Sequence, residues 1–251
     1  MIGLGTIINV ASIVAGSAIG VLLGSRLPER TNRTITEALG LLTLVLAGLN
    51  LTSLTDKTFI AASGQVGTFM IVIFAMLFGT ITGSLLGIER RLESFGGWLQ
   101  HRLSRGRAQT SGARERFITG YVDASLIFAI GPMAILGSIA DGTDHNPNTL
   151  VIKAILDGFA CIAFAASLGW GVAASSITVG IWQGFITIVA AFAGAFIPGA
   201  TIAAITATGG VLMLAISIRL LGLKPIAVAD MLPALVFAPL LTWLVSTIFH
   251  G

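Results

Sequence analysis

Eight apolar stretches of roughly 20 residues constrain this chain more than any motif in it. They lie at about 2–24, 36–54, 66–88, 117–139, 149–171, 175–197, 201–222 and 230–249, separated by charges, glycines and prolines. Each is long enough to cross a hydrocarbon core about 30 Å thick. Only 10% of the 251 residues are charged, whereas a soluble domain carries about 25%. The chain lacks the ions to cover a water-facing surface. We read an all-α polytopic transmembrane helical bundle of about eight spans, one integral membrane domain over 1–251. That excludes a water-soluble globular enzyme, a disulfide-stapled secreted domain and a nucleic-acid binder.

The lone cysteine, Cys161, sits in an apolar run and has no partner for an internal disulfide. Met1–Leu23 has no positive leading region and too long an apolar part for a signal peptide, so it reads as the first span. The connection 89–116 is the one substantial loop. Its first half, Ile88–Leu103, has an amphipathic pattern that would set Trp98 and Leu99 in the headgroup region, with Arg90, Arg91 and Arg102 facing phosphates and water.

Lysine and arginine counts orient the bundle. With the N-terminus outside, Arg26, Arg30 and Arg33 fall in the first inner loop. Arg90, Arg91, Arg102, Arg105, Arg107, Arg114 and Arg116 fall in the second, and Arg219 with Lys224 in the last. That is 12 of 14 basic residues inside, with Lys57 and Lys153 toward the outside. Both termini are therefore expected on the periplasmic side of a bacterial inner membrane.

Two kinds of self-similarity run through the spans. Gly16-Ser-x-x-Gly20-x-Leu-Leu-Gly24 matches Gly79-Thr-x-x-Gly83-x-Leu-Leu-Gly87 at an offset of 63. Such a stripe lets a neighbouring backbone approach closely, and helix packing is its plainest use. Gly40-Leu-Leu-Thr-Leu-Val-Leu resembles Gly210-Val-Leu-Met-Leu-Ala-Ile at an offset of 170, and Asn9 in span one corresponds to Gln183 in span six at 174. Those spans run in opposite directions, which makes 1–3 and 6–8 inverted three-helix repeats around spans four and five. Secondary transporters are commonly built so, with the binding site near the midplane.

Asp123 and Asp157 fall inside predicted spans. A mid-helix carboxylate costs roughly 2.5–3.5 kcal/mol on insertion scales, so it faces a cavity or a partner. At 1.5 Å per residue, Asp123 lies about 9 Å from one end of its span and Asp157 about 12 Å from the opposite end of its own. A solvated hollow around Asp157 would suit a cation or proton; Lys153, one turn away, offers the competing arrangement of an ion pair. Gly131-Pro132 interrupts span four, freeing the Phe128 carbonyl. Gly120, Asp123, Ile127, Ala134, Ser138 and Asp141 share one face of that span. Asn9, Thr43, Gln183, Thr187 and Ser217 are further polar intramembrane residues, for which bonding between helices is the default role.

The chain carries no G-x-S-x-G, H-E-x-x-H, P-loop or dinucleotide fingerprint. His101, His145 and His250 lie where the topology keeps them apart, so neither a metal site nor a cofactor is expected. No enzyme activity is expected either.

The stretches Gly16–Glu29 (GSAIGVLLGSRLPE), Gly120–Gly142, Lys153–Phe164 and Gly209–Leu241 resemble a family of bacterial inner-membrane proteins of unknown function, typified by YqgA and YdfK. The likeness spans nearly the whole chain and is most specific at Ala134-Ile-Leu-Gly-Ser-Ile-x-Asp-Gly142 and Leu156-Asp-Gly158. It implies the location and the fold, and members are labelled membrane or transport proteins without an established substrate. At position 123 the resemblance implies threonine or similar where this chain has Asp123. Asp157 and Asp141, inside matching motifs, are then the better site candidates.

The leading expectation is a small secondary transporter of a solute or ion. Its path residues would be Asp157, Asp123, Asp141, Lys153, Asn9, Gln183 and Ser138, with a helix break at Gly131 and Pro132. A passive channel and a non-transporting scaffold are the alternatives. Expected partners are the lipid bilayer, a small solute or cation, and a second copy of the chain in a homo-oligomer, a dimer above all, joined through the glycine faces.

Overall fold

The computed structural model describes residues 2–25, 28–103, 111–193 and 198–250. In chain order the helices are α1 (Leu4–Gly24), α2 (Glu29–Leu51), α3 (Lys57–Ser63), α4 (Gln65–Leu86), α5 (Ile88–Leu103), α6 (Ser111–Ala129), α7 (Pro132–Thr143), α8 (Asn148–Leu168), α9 (Gly171–Ala193), α10 (Gly199–Leu220) and α11 (Ala234–His250). Short 3-10 turns occupy Thr52–Thr55 and Val228–Met231. Seven helical stretches are long and apolar enough to span a membrane, and an eighth results if the bent pair α6–α7 counts as one. The all-α polytopic bundle read from the apolar runs is the fold adopted. Among the residues used for orientation, Arg26, Arg105 and Arg107 lie outside the described residues.

The distribution of side chains is that of a protein dissolved in lipid. Leu41, Val45 and Leu49 on α2, Phe69, Ile73 and Leu77 on α4, and Ile181, Phe185 and Phe192 on α9 are all exposed. Asn9, Asp123, Asp141, Ser175 and Gln183 are fully buried. A water-soluble domain sorts these residue types the other way.

The chain divides into two compact units. The first comprises Met1–Leu39 and Leu92–Ala195. Its axis is the parallel contact of α1 with α8, where Gly5 lies against Leu150, Gly16 against Cys161, Gly20 against Ala165 and Gly24 against Ala166. The glycine stripe of span one is therefore consumed within the chain, so it supplies no face for the homo-oligomer expected from it. Helix α9 runs parallel to α6 and α7, with Gly120 against Val172 and Gly142 against Ala190. Helix α5 covers this unit through Phe95, which stacks on Trp98 and tilts over Tyr121. The Arg102 guanidinium sits 5.6 Å from the Trp98 ring. Trp98 is exposed, as the amphipathic pattern implies, whereas Leu99 is buried; it turns to the protein side because the apolar face of α5 is wider than the strip that meets lipid.

The second unit comprises Gly40–Arg91 and Phe196–Gly251. Phe59 of the unforeseen helix α3 anchors a core with Ile71, Val72 and Ala75 of α4 and Ala200, Ala203, Ala204 and Ala207 of α10. Gly79 lies against Ala234 and Gly83 against Asp230, so these two glycines of the second stripe are also spent inside the chain, whereas a Cβ at Gly87 would meet nothing within 4 Å. Ser217 Oγ donates to the Gly40 carbonyl at 2.8 Å. At the start of α5, the Glu89 amide donates to Asp230 at 2.8 Å, while the Glu89 carboxylate accepts from the Ala229 amide at 2.7 Å and from Arg219 at 2.6 Å. Each acid thus satisfies the free N–H groups at the start of the other's helical element.

Candidate functional site

Span four is broken. Helix α6 ends at Ala129, Gly131 is extended (φ −164°, ψ 146°), and Pro132 opens α7 at its first position. The two segments meet at 61°. Proline fits there because the first amide of a helix has no intrahelical acceptor. Sequence reading located the break; the structure makes it two helix ends inside an apolar stretch, which lipid tolerates only where protein or a cavity satisfies them.

Beside the break, Lys153 and Asp157 form an ion pair one turn apart on α8, 6% and 7% exposed. The Lys153 ammonium also sits 5.9 Å from the Phe128 ring, near the end of α6. Of the two arrangements open to Asp157, the neighbouring ammonium is the one found. Asp157 is not an open carboxylate awaiting a cation, and Lys153 lies in the second turn of α8, within the span read over 149–171. The reason is electrostatic: two opposite charges at one depth cancel the field that makes either prohibitive in hydrocarbon.

Asn9 and Gln183 meet directly. Asn9 Nδ2 donates to Gln183 Oε1 at 3.1 Å, and both residues are fully buried. One turn back toward the start of α1, the Gly5 amide donates to Asp141 Oδ2 at 3.1 Å. Asp141, read from sequence on the same face of span four as Asp123 and Ser138, is fully buried at the end of α7. It takes the role that Gly3, the residue preceding α1, has no side chain to fill. The helix dipole adds to this by presenting partial positive charge to the carboxylate.

These contacts stack polar groups in two layers across α1, α7 and α9. Thr6 follows Gly5 and precedes Asn9 by three residues; Thr187 follows Gln183 by four; and Gly142, beside Asp141, packs against the Thr187 carbonyl. Thr6, Asp141 and Thr187 therefore share one layer, and Asn9 and Gln183 the next, about 5 Å along the helices at 1.5 Å per residue. Thr6 Oγ1, Thr187 Oγ1, Asp141 Oδ1, Asn9 Oδ1 and Gln183 Nε2 are all buried without a hydrogen-bond partner among the described residues.

The other sequence candidates behave differently. Ser138 is buried but donates to the Ala134 carbonyl at 2.6 Å, within α7. Asp123 is fully buried on α6. Gly120 on the same helix packs against Val172 of the parallel α9, which sets Asp123 about 12 Å short of Gln183 at 1.5 Å per residue. Thr6 escaped the sequence reading altogether, although its three-residue spacing from Asn9 puts both on one helix face. At the opposite ends of α1 and α8, an open pocket of about 310 Å³ is lined by Ser25, Asn32, Arg116, Ser167 and Trp170. No cluster of three or more His, Cys, Asp or Glu able to hold a metal ion occurs among the described residues.

Fold and site together define a polytopic α-helical membrane protein with a polar interior. The chain belongs to a family described as protein of unknown function DUF554, whose pattern matches residues 4–243. It is 30% identical to the uncharacterised protein YqgA of Escherichia coli (strain K12), over 94% of each chain. It is 26% identical to the uncharacterised membrane protein YdfK of Bacillus subtilis (strain 168), over 96% of each. No solved structure matches.

Proposed function

We propose that this protein is a small secondary transporter of the bacterial inner membrane, moving a small solute or ion through the polar interior of its first unit. One observation carries the reading: five polar atoms on Thr6, Asn9, Asp141, Gln183 and Thr187 are buried in adjoining layers without partners among the described residues. Each unsatisfied group in hydrocarbon costs several kcal/mol. A stack of them is retained where a polar solute or ion is bound in passing. The ion pair Lys153–Asp157 beside the stack is charge-neutral, which suits a wall of the path better than its binding point.

The arrangement of spans supports the same reading. Within the first unit span one meets span six, at Asn9 and Gln183. Within the second, span two meets span seven at Gly40 and Ser217, and span three meets span eight at Gly79 and Ala234. Inverted repeats of 1–3 and 6–8 would give those pairings. The sequence count of 12 basic residues on one side against Lys57 and Lys153 toward the other favours periplasmic termini.

Liposomes containing the purified protein test the reading, with imposed gradients of Na⁺, K⁺ and protons read by entrapped fluorescent dyes. Flux that saturates and is lost in a folded Asn9→Leu variant supports transport. Flux that neither saturates nor couples to a second gradient points to a channel. Silence in every gradient, with another protein co-purifying in stoichiometric amount, points to a scaffold.

A further inference from the structure

We infer that the layer formed by Thr6, Asp141 and Thr187 is a binding site for a monovalent alkali cation. This deepens the transport reading and rests on it for the purpose of the site, though not for its chemistry.

Charge balance comes first. Lys153 and Asp157 neutralise each other. Asp141 is fully buried and accepts one hydrogen bond, from the Gly5 amide. None of the ion pairs among the described residues includes it. The start of α1 supplies about half a positive charge. The remainder of a full negative charge calls for one cation, not two.

Ligand chemistry comes next. Asp141 Oδ1, Thr6 Oγ1 and Thr187 Oγ1 are hard oxygen donors, all buried and unpartnered among the described residues. Oxygen-only surroundings select hard cations over zinc or copper, which favour nitrogen and sulfur. A single carboxylate is too little negative charge for a divalent ion, whose sites gather several carboxylates or keep much of their water. Hydroxyls that served only to satisfy the carboxylate would donate to it. Neither threonine does. None of the three oxygens hydrogen-bonds another, which leaves all of them available to a common ion. The competing occupant is a proton on Asp141, which would cancel the charge without enlisting the threonines.

Thermal unfolding of the purified protein in detergent separates these, with NaCl titrated against choline chloride at constant ionic strength. A ligand bound only by the native state raises the melting temperature with its concentration. The expected result is a saturable rise with Na⁺ and none with choline. Asp141→Asn, which keeps an acceptor for the Gly5 amide, is expected to abolish the rise. Thr6→Ala and Thr187→Ala are expected to shift its half-saturation to severalfold higher Na⁺; they keep the test decisive if the Asp141 variant fails to fold. Equal responses to Na⁺ and choline, or an unchanged Na⁺ response in the threonine variants, would overturn the site. So would a pH-dependent stability that Asp141→Asn removes while Na⁺ has no effect, since the occupant would then be a proton. A Na⁺ response without liposome flux leaves the site standing and removes the transport reading; flux without a Na⁺ response does the reverse.

Discussion

Asn9 and Gln183 stand 174 positions apart and share one hydrogen bond of 3.1 Å, each keeping a second polar atom without a partner among the described residues. Replacing either by leucine strands the other amide in apolar surroundings. Asn9→Leu or Gln183→Leu is expected to cost about 1–2 kcal/mol. The double variant should regain part of that, since both partners become apolar together, yet lose liposome flux. Unfolding and flux measured on the same preparations check this. A double variant that transports normally would make the pair a simple tie between helices.

The ion pair of α8 makes a contrasting prediction. Lys153→Met leaves the Asp157 carboxylate buried and uncompensated, and is expected to destabilise by about 3–5 kcal/mol. Lys153→Met combined with Asp157→Met should return close to the parent, because burying two charges costs nearly what their attraction returns. Fluorescence-detected gel filtration after heating ranks the three variants. A double variant as weak as the single one would assign the pair a role beyond neutralising itself.

The ease of reading this chain varied with the length of the signal. The spans were legible because lipid demands about 20 consecutive apolar residues, and the bounds of α5 follow from its amphipathic pattern. The short helix α3 was not legible: seven residues with an aspartate cap resemble a loop between spans. The Lys153–Asp157 pair was visible as a spacing of four, but spacing alone cannot tell a mutual pair from a carboxylate facing water. Asn9 and Gln183 were matched by a weak repeat, and their contact could only come from the fold. Thr6 was missed because a threonine in an apolar helix usually bonds its own backbone, and nothing local says that this one does not.

Asp56 offers a pH-dependent effect outside the spans. It caps α3, accepting from the Thr58 amide at 2.8 Å and the Phe59 amide at 3.2 Å. The hydrogen bond from the Thr58 hydroxyl, assisted by these amides, holds its carboxyl below the ordinary value of 3.8. A carboxyl lowered on folding stabilises above its unfolded pKa, and that contribution fades as pH falls through the lower folded value. Asp56→Ala is therefore expected to lose about 1 kcal/mol at neutral pH. The gap to the parent should close in strong acid, at pH values below 3.8. Parallel melting curves from neutral pH downward test this; a gap constant across the range would mean that the cap acts without its charge.

Glycine packing gives the sharpest contrast between positions that look alike in sequence. A Cβ at Gly16 would run into the Gly158 carbonyl and stand 3.2 Å from the Cys161 side chain, whereas one at Gly48 would meet nothing within 4 Å. Both glycines are helical, in α1 and α2. At Gly16 the backbone of α8 cannot retreat without opening the parallel contact between α1 and α8. Gly16→Ala is expected to destabilise by about 1–3 kcal/mol through overpacking. Gly48→Ala should be neutral or stabilising by up to about 1 kcal/mol, because alanine loses less backbone entropy in a helix. If the glycines served contacts between copies instead, both would tolerate alanine in the isolated chain, and only the oligomer would weaken. Melting curves and sedimentation of the two variants distinguish these outcomes, because packing within the chain lowers the melting temperature of Gly16→Ala without changing its mass.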